Sequence, residues 1–214
     1  MSTDVTYERL REDVLAGRFP AGSRLLETTL AAEYGVSRTP IREALTRLTQ
    51  DGLLERASRG YRVRAGTAQD ILEIYEARIA LEGQAAASAA ERRTDLDLAR
   101  LRHLHDIVTD PAADPATART ANSQWHYALW QAAHNATIEA LLTRLTAQLR
   151  IYDHGRHETP EDLALTREEH SRMLHAIETR DPAEARTASD QHLGRSREIR
   201  LATFARTTPT EPAW

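Results

Sequence analysis

The stretch from Gly35 to Gly60, GVSRTPIREALTRLTQDGLLERASRG, decides the fold of the first part of this chain. Ser37 is a residue type that caps helices, because its hydroxyl can accept a backbone N–H of the first turn. Pro40 lies in that first turn, where a missing N–H costs little, and Gly52 favours a helix end. Four apolar residues recur between them at helical spacing: Ile41, Ala44, Leu45 and Leu48. The stretch therefore predicts an amphipathic helix that packs by one face.

The other face of this predicted helix is basic and hydroxylated. It carries Arg38, Thr39, Arg42, Thr46 and Arg47. Residues 37–64 together hold 7 Arg against 3 acidic residues, which concentrates positive charge where the helix lies. A packed helix that presents guanidinium and hydroxyl groups near its N-terminus is suited to the major groove of DNA.

The flanking residues predict a helix-turn-helix followed by a wing. Residues 4–17 and 27–34 read as helices, with a turn at 18–25 between them. The motif needs a small residue at the helix contact, a turn residue with positive φ and an apolar anchor. Those needs are met by Ala31, Gly35 and Ile41. After Gly52, LLER and YRVR read as two short strands joined by ASRG, with Arg59 and Gly60 at the hairpin tip, where arginine suits a minor groove.

Composition bounds the class of protein. The 214 residues are 41% hydrophobic and 28% charged, and the lack of cysteine excludes disulfides and thiolate metal sites. No run approaches the ~18–20 apolar residues of a membrane span, and the N-terminus is too polar for a signal peptide. We therefore expect a cytoplasmic protein with no membrane partner. The net charge of −4 hides an asymmetry, since residues 1–66 carry 11 Arg and 9 acidic residues whereas residues 67–214 carry 17 and 23.

From residue 68 onward the chain reads as helical throughout. The predicted helices span 68–91, 94–109, 116–134, 137–153, 160–180 and 182–206. The segment 154–160 reads as a loop. The predicted fold class is mainly α: a winged helix-turn-helix with a small β wing at 1–66, an antiparallel bundle of six to seven helices at 67–206, and a flexible tail at 207–214.

All nine histidines lie between His103 and His192. Asn122 and His126 are four residues apart on one face of a helix, and His170 and His192 come from two later helices. Side chains that converge from three helices can hold a divalent metal through imidazole nitrogen. The remaining histidines are interpreted as ordinary interior or surface residues: His103, His105, His134, His154, His157 and His175.

The residues FPAGSRLLETTLAAEYGVSRTPIREALTRLTQDGLLERASRGYRV resemble the winged helix-turn-helix domain of the GntR family of bacterial transcription regulators. The pieces EARIALEGQAAASAA, WHYALWQAAHN and EEHSRMLHAIETRDPAEARTASDQHL resemble, in order and spacing, the all-helical FCD-type effector domain of the FadR subfamily. The resemblance implies a DNA-binding homodimer, most often a repressor, that recognises a palindromic operator and responds to a small organic acid. Residues 67–206 then form the effector-binding and dimerisation domain.

The resemblance also implies roles for particular residues. Its DNA-contacting positions fall on Ser37, Arg38, Thr39 and Arg42 of the predicted amphipathic helix, called the reading helix below. They also fall on Arg59 and Gly60 in the wing, and on Arg47 and Arg24 as phosphate contacts. Its metal site, often one aspartate and three histidines, falls on Asn122, His126, His170 and His192. Asn122 is neutral, so zinc, nickel or manganese would be held by three histidines plus water or an effector carboxylate; alternatively, the site is metal-free and the histidines donate hydrogen bonds.

The sequence leaves two alternatives open for Arg78. It either pairs with an effector carboxylate, as an arginine of the resembling domains does, or is a surface arginine beside Glu82. Trp125 and Trp130 are interpreted as core, and Glu168-Glu169 as a solvated face.

Two classes of function are weighed. The first is a ligand-responsive transcription regulator, and the second is a metal-dependent enzyme that uses the histidine cluster to activate water. The chain has no HExxH motif, no evident nucleophile with a base and no Gly-rich phosphate loop. The winged domain would be unexplained in an enzyme, so we expect a regulator.

Overall fold

The computed structural model describes residues 2–110, 112–151 and 160–207. The chain divides into two compact units, one of which holds the residues up to Asp70 together with the end of a later helix from Thr146. The other unit holds the rest. Residues 154–159 of the predicted loop, with His154 and His157, and nearly all of the predicted tail at 207–214 lie outside the described residues. Pro160, the last residue of the predicted loop, begins a helix instead.

The first unit contains three helices and a small sheet. Its elements are α1 (Thr3–Leu15), β1 (Arg24–Leu25), α2 (Glu27–Tyr34), α3 (Arg38–Gln50), β2 (Leu54–Arg56) and β3 (Tyr61–Val63). The sheet is antiparallel in the order β1-β3-β2. The predicted helix-turn-helix is confirmed: Gly35 ends α2 with φ 65°, Ala31 is buried, and Ile41 anchors α3 with its side chain fully buried.

Two local details in this unit differ from the prediction. Ser37 occupies the N-cap position of α3, as predicted, but its hydroxyl makes no capping hydrogen bond. The segment predicted as a turn contains strand β1, in which Arg24 pairs with Arg62 and Leu25 with Tyr61. A strand of two residues carries too little alternation for a sequence pattern to reveal it.

The wing turn explains why Gly60 is glycine. Its φ is 82°, and a Cβ added there would lie 2.5 Å from the carbonyl oxygen of Leu25. The backbone N–H of Ala57 donates to the carbonyl of Gly60 at 3.2 Å and closes the turn that leaves Arg59 exposed.

The second unit is built from helices alone. Its elements are α4 (Ala68–Arg92), α5 (Asp95–Thr109), α6 (Pro115–Ala132), α7 (Ala136–Arg150), α8 (Pro160–Glu178) and α9 (Pro182–Thr207), and they fit the predicted six-helix count within the described residues. The first three residues of α4 and the residues of α7 from Thr146 onward group with the first unit. The core packs alanines of α4, such as Ala86 and Ala89, against large residues such as Trp125, which is fully buried. Small residues on α4 let neighbouring helices approach closely: a Cβ at Gly83 would collide with Asp190 of α9. Among the described helices, none is long and apolar enough to cross a membrane.

Two arginines cap the ends of α4 and α8 reciprocally. Arg93, just after α4, donates from Nε to the carbonyl of Ile177 and from Nη2 to that of Glu178, both at 3.0 Å. Arg180, just after α8, donates from Nη1 to the carbonyl of Glu91 at 2.9 Å. The last carbonyls of a helix lack partners within it, so each guanidinium satisfies groups that burial would otherwise leave unpaired.

We expect Arg93→Ala to lower the free energy of unfolding of the second unit by about 1.5–3 kcal/mol, because it removes charge-assisted hydrogen bonds from a buried guanidinium. Arg92→Ala is the matched control, since Arg92 is exposed and reaches one carbonyl at 3.5 Å. Urea unfolding followed by circular dichroism measures both variants. Equal stabilities of the two variants would contradict the capping role.

Candidate DNA-reading surface and candidate metal centre

The predicted reading helix presents its arginines to solvent. The side chains of Arg38 and Arg42, called the reading arginines below, are 60% and 59% exposed, whereas the opposite face of α3 is buried by its apolar residues. Ser37 and Thr39 are exposed beside them. A helix that is packed on one side and basic on the other can enter a major groove while its apolar face stays buried.

The other predicted DNA contacts do not all join this surface. Arg24 and Arg59 are exposed on the sheet and the wing turn. Arg47 turns toward α1 instead: its Nη1 lies 2.6 Å from the carboxylate of Asp4 and its guanidinium 3.8 Å from the ring centre of Tyr7. A phosphate contact by Arg47, as predicted, would have to displace these partners.

Glu27 is a residue of the reading surface that sequence reasoning missed. As the first residue of α2, it places Oε2 3.1 Å from Nη2 of Arg38 and 3.4 Å from Nε of Arg42. Partial burial alone would raise the pKa of Glu27, but the two guanidiniums outweigh it and lower that pKa. Glu27 is therefore an ionised carboxylate shared between the reading arginines.

The predicted histidine constellation converges in the second unit. His126 of α6, His170 of α8 and His192 of α9, called the histidine triad below, each offer a ring nitrogen, and these atoms all lie within 4.8 Å of one another. The ring centres are separated by 5.0, 5.2 and 4.8 Å. Three imidazole donors at such spacing can share one metal ion.

His170 lies at the centre of the triad. It is fully buried, and neither ring nitrogen has a hydrogen-bond partner. Burial, reinforced by the neighbouring His192 and His126, lowers the pKa of His170 well below its ordinary value. The ring of Trp125 stacks on it at 4.2 Å between centres, so this tryptophan is core, as predicted, and also supports the triad. A neutral buried imidazole without a partner keeps a lone pair for a metal.

Two carboxylates stand behind the triad, and sequence reasoning assigned neither to the site. Oε2 of Glu169 lies 2.8 Å from Nδ1 of His192. Oε2 of Glu82 lies 3.3 Å from Nδ1 of His126, within ion-pair distance but without the direction of a hydrogen bond. A carboxylate beside Nδ1 favours a proton on that nitrogen and leaves Nε2 as the metal donor.

The interpretation of Glu168-Glu169 as a solvated face is wrong for Glu169. Its side chain is only 21% exposed, and Arg195 donates to both of its oxygens at 2.7 Å. Burial alone would raise the pKa of Glu169, but the bonds to Arg195 and His192 hold it at about 2. Glu168 next to it is exposed. Glu169 contacts His192 and Arg195, 23 and 26 residues away, so no local sequence signal pointed to this role.

Arg78 is buried, which excludes the alternative of a surface arginine. Its Nε donates to Oε1 of Glu82 at 2.8 Å, and Nη2 donates to the same oxygen. Glu82 is almost fully buried; burial would raise its pKa, but Arg78 and then His126 lower it. Nearby, Nε of Arg200 donates to the hydroxyl of Tyr75 at 3.2 Å. Arg78 thus already holds a carboxylate of the chain itself.

Asn122 precedes His126 by one helical turn on α6, so the two side chains share a face. Its Oδ1 is buried without a hydrogen-bond partner. The residues present fit a metal on two observations of this structure: the unpartnered nitrogens of His170 and the unpartnered oxygen of Asn122. Three neutral imidazole donors suit zinc or nickel better than manganese, which prefers carboxylate and carbonyl oxygens.

The other described histidines are not members of the triad. His103 and His175 are exposed. Nε2 of His134 lies 2.9 Å from Asp97, and Nε2 of His105 lies 3.1 Å from the hydroxyl of Ser171. These positions agree with ordinary interior or surface histidines.

Known proteins match both parts of this chain. Residues 2–62 match the family described as bacterial regulatory proteins, gntR family, and residues 73–195 match the FCD domain. YdhC of Bacillus subtilis (strain 168), an uncharacterized HTH-type transcriptional regulator, is 34% identical over 141 residues, which are 64% of this chain and 62% of YdhC. The match thus spans less than two thirds of the length of that relative.

Two further proteins are similar over more of their length. The "Probable D-xylose utilization operon transcriptional repressor" of Paenarthrobacter nicotinovorans is 31% identical over 185 residues, which are 85% of this chain and 80% of the repressor. The solved structure of E. coli McbR/YncC superposes with a TM-score of 0.79 at 24% identity, covering 95% of this chain and 99% of that one. That structure shows the shared fold.

The matches fall on the two parts that the structure separates, and the FCD match alone spans residues 73–195, more than half of the chain. The regulators and repressors among these relatives give the enzyme alternative no support. The chain therefore belongs to the gntR family of bacterial regulatory proteins, with an FCD domain after its winged helix-turn-helix, and is placed among transcription regulators rather than enzymes.

Proposed function

We propose that the chain represses transcription by binding a near-palindromic operator as a homodimer, with residues 1–66 as the DNA-binding domain. The observation that carries the proposal is the pair of exposed reading arginines on α3, a helix whose opposite face is fully packed. Two copies related by a two-fold axis would place two such helices in successive major grooves, about one helical turn apart. A regulator of this kind acts on DNA in the cytoplasm.

We further propose that residues 67–206 bind a divalent metal and a small carboxylate effector. His126, His170 and His192 would hold the metal, with Asn122 beside them, and zinc or nickel fits this donor set better than manganese. When bound, such a metal supplies a positive site for a carboxylate oxygen. Three histidines leave at least one coordination position for that oxygen or for water.

Effector binding by Arg78 is restricted by the ion pair that Arg78 already makes. It faces Oε1 of Glu82, so an effector carboxylate that binds Arg78 must compete with Glu82 for the same guanidinium. Either way, the effector changes DNA affinity only if it binds the DNA-competent and DNA-incompetent states with different affinities. The name of the Paenarthrobacter relative, a probable operon repressor, supports repression as the mode of control.

The operator proposal predicts a sequence-selective footprint. The full-length protein, incubated with the DNA around its own gene, should protect a near-palindrome, and Arg42→Ala should weaken binding to that site by about 1–3 kcal/mol, because the variant loses a base-reading guanidinium. Arg144→Ala, an exposed arginine of α7, is the control and should bind as the wild type does. No selective protection with any metal or effector present would refute the proposal.

The metal proposal predicts one ion per chain. Metal-stripped protein titrated calorimetrically with zinc, nickel or manganese should bind with a stoichiometry of one, and His170→Ala should lose at least about tenfold in affinity. His103→Ala, on an exposed histidine of α5, is the control. Asn122→Asp should bind more tightly, because it restores a formal negative charge. A wild-type metal affinity in His170→Ala would refute the proposed site.

Returning the metal to metal-stripped protein should change the mobility of its DNA complex in a gel-shift experiment, without turnover of any substrate.

The buried triad also predicts a pH dependence of the metal-free protein. The pKa values of His170 and His192 are lowered by burial, so the unfolded chain binds more protons than the folded one below its ordinary histidine pKa of about 6.5. Stability should therefore be fully present above that pH and decline below it, by up to about 1.4 kcal/mol per pH unit for each histidine. Urea unfolding at pH 8 and 5.5 tests this, and His170→Phe should reduce the decline whereas His103→Gln should not.

A further inference from the structure

The carboxylate of Glu27 links the two reading arginines across two helices. It lies at the start of α2, and its Oε2 meets Arg38 and Arg42, which are one turn apart on α3. The Glu27 side chain is only 20% exposed, whereas the arginine side chains are 60% and 59% exposed. The carboxylate therefore lies beneath the guanidiniums and holds them from the protein side.

The atoms used by Glu27 leave the DNA-reading groups of Arg42 available. Glu27 meets Arg42 at Nε, so both terminal nitrogens remain on the outer side of the guanidinium. These terminal nitrogens form the fork that donates to O6 and N7 of guanine. On Arg38 the contact takes one Nη2 hydrogen, and the guanidinium keeps four of its five N–H donors.

A shared carboxylate has two consequences for binding. Arginine side chains carry much rotamer freedom, and a side chain that is already held loses less of it when it meets a base. A fixed negative charge under both guanidiniums also weakens their attraction to phosphate, the term that dominates binding to any DNA sequence. The first consequence favours the operator, and the second disfavours all other DNA.

We infer that Glu27 is a specificity-determining residue of the reading surface, which positions Arg38 and Arg42 for base contacts and opposes their capture by phosphates. The inference rests on the proposed function, since it requires α3 to read DNA. Glu27 acts through the arginines as a positioning residue. Its low exposure beneath them disfavours the rival role of accepting directly from a cytosine amino group.

The chain offers matched variants for a test. Glu27→Gln keeps the size and removes the charge. Glu43→Gln makes the same charge change on an exposed residue of α3, and Glu33→Gln makes it on α2, where Glu33 pairs with Arg18. The full-length wild type is first used to select its preferred duplex from random DNA. Each variant is then titrated against that duplex and a scrambled one at two salt concentrations.

We expect Glu27→Gln to bind scrambled DNA several-fold more tightly and to lose at least about tenfold in the ratio of selected to scrambled affinity. Its binding should also depend more steeply on salt, because freed arginines reach additional phosphates. Repeated selection with Glu27→Gln should return weaker preference at the positions that Arg38→Ala and Arg42→Ala affect. The two control variants should keep the wild-type ratio within about twofold.

A readout without DNA separates positioning from a general charge effect. Nitrogen relaxation of the arginine Nε–H groups should show Arg42 ordered in the wild type and in Glu43→Gln, and mobile in Glu27→Gln. An Arg42 group equally mobile in all three proteins would overturn the inference. So would an unchanged affinity ratio in Glu27→Gln, an equal loss in Glu43→Gln, or a preference altered at a single cytosine. If the wild type selects no sequence at all, the proposed function itself fails.

Discussion

The burial of one carboxylate constrains the second unit more than any other single feature. Glu82 is almost fully buried on α4, and an ionised group in that position is tolerated only where opposite charges and donors surround it. Arg78 faces one of its oxygens and His126 faces the other. The same carboxylate thereby fixes the arginine one turn earlier and the histidine on α6, and through His126 it bears on the whole histidine triad.

The carboxylates near the triad offset the lack of charge on Asn122. An aspartate ligand places its negative charge in direct contact with a bound metal ion. Here the carboxylates of Glu82 and Glu169 instead contact the rings of His126 and His192, so their charges lie behind the imidazoles. Outer carboxylates raise the basicity of the imidazole that they contact. For the proposed metal, the charge that Asn122 does not provide would thus be partly supplied through His126 and His192, so that a set of neutral donors could still suit a dication.

Features with local causes could be predicted from the sequence, and features that depend on cross-helix pairing could not. The reading helix follows from its apolar period and from Gly35, and the triad positions from helical spacing and family pattern. Glu27 lies 11 residues from Arg38, and Glu169 lies 26 from Arg195, so no periodicity connects either pair. The spacing of Arg78 and Glu82 was visible, but their burial depends on packing by other helices, and the short strand β1 exists only because β3 pairs with it.

In both units a carboxylate pairs with arginines of the candidate site: Glu27 with Arg38 and Arg42, and Glu82 with Arg78. The second pair limits how a carboxylate ligand could bind Arg78. Because Glu82 touches Arg78 with one oxygen and His126 with the other, a carboxylate that displaces it from Arg78 leaves its charge beside His126 alone. The imidazole then faces a less compensated anion and becomes a stronger metal donor. Binding free energies are reciprocal, so a metal that drew on His126 would in turn favour carboxylate binding at Arg78. If the proposed effector engages Arg78, the geometry of Glu82 would therefore couple it positively to the proposed metal.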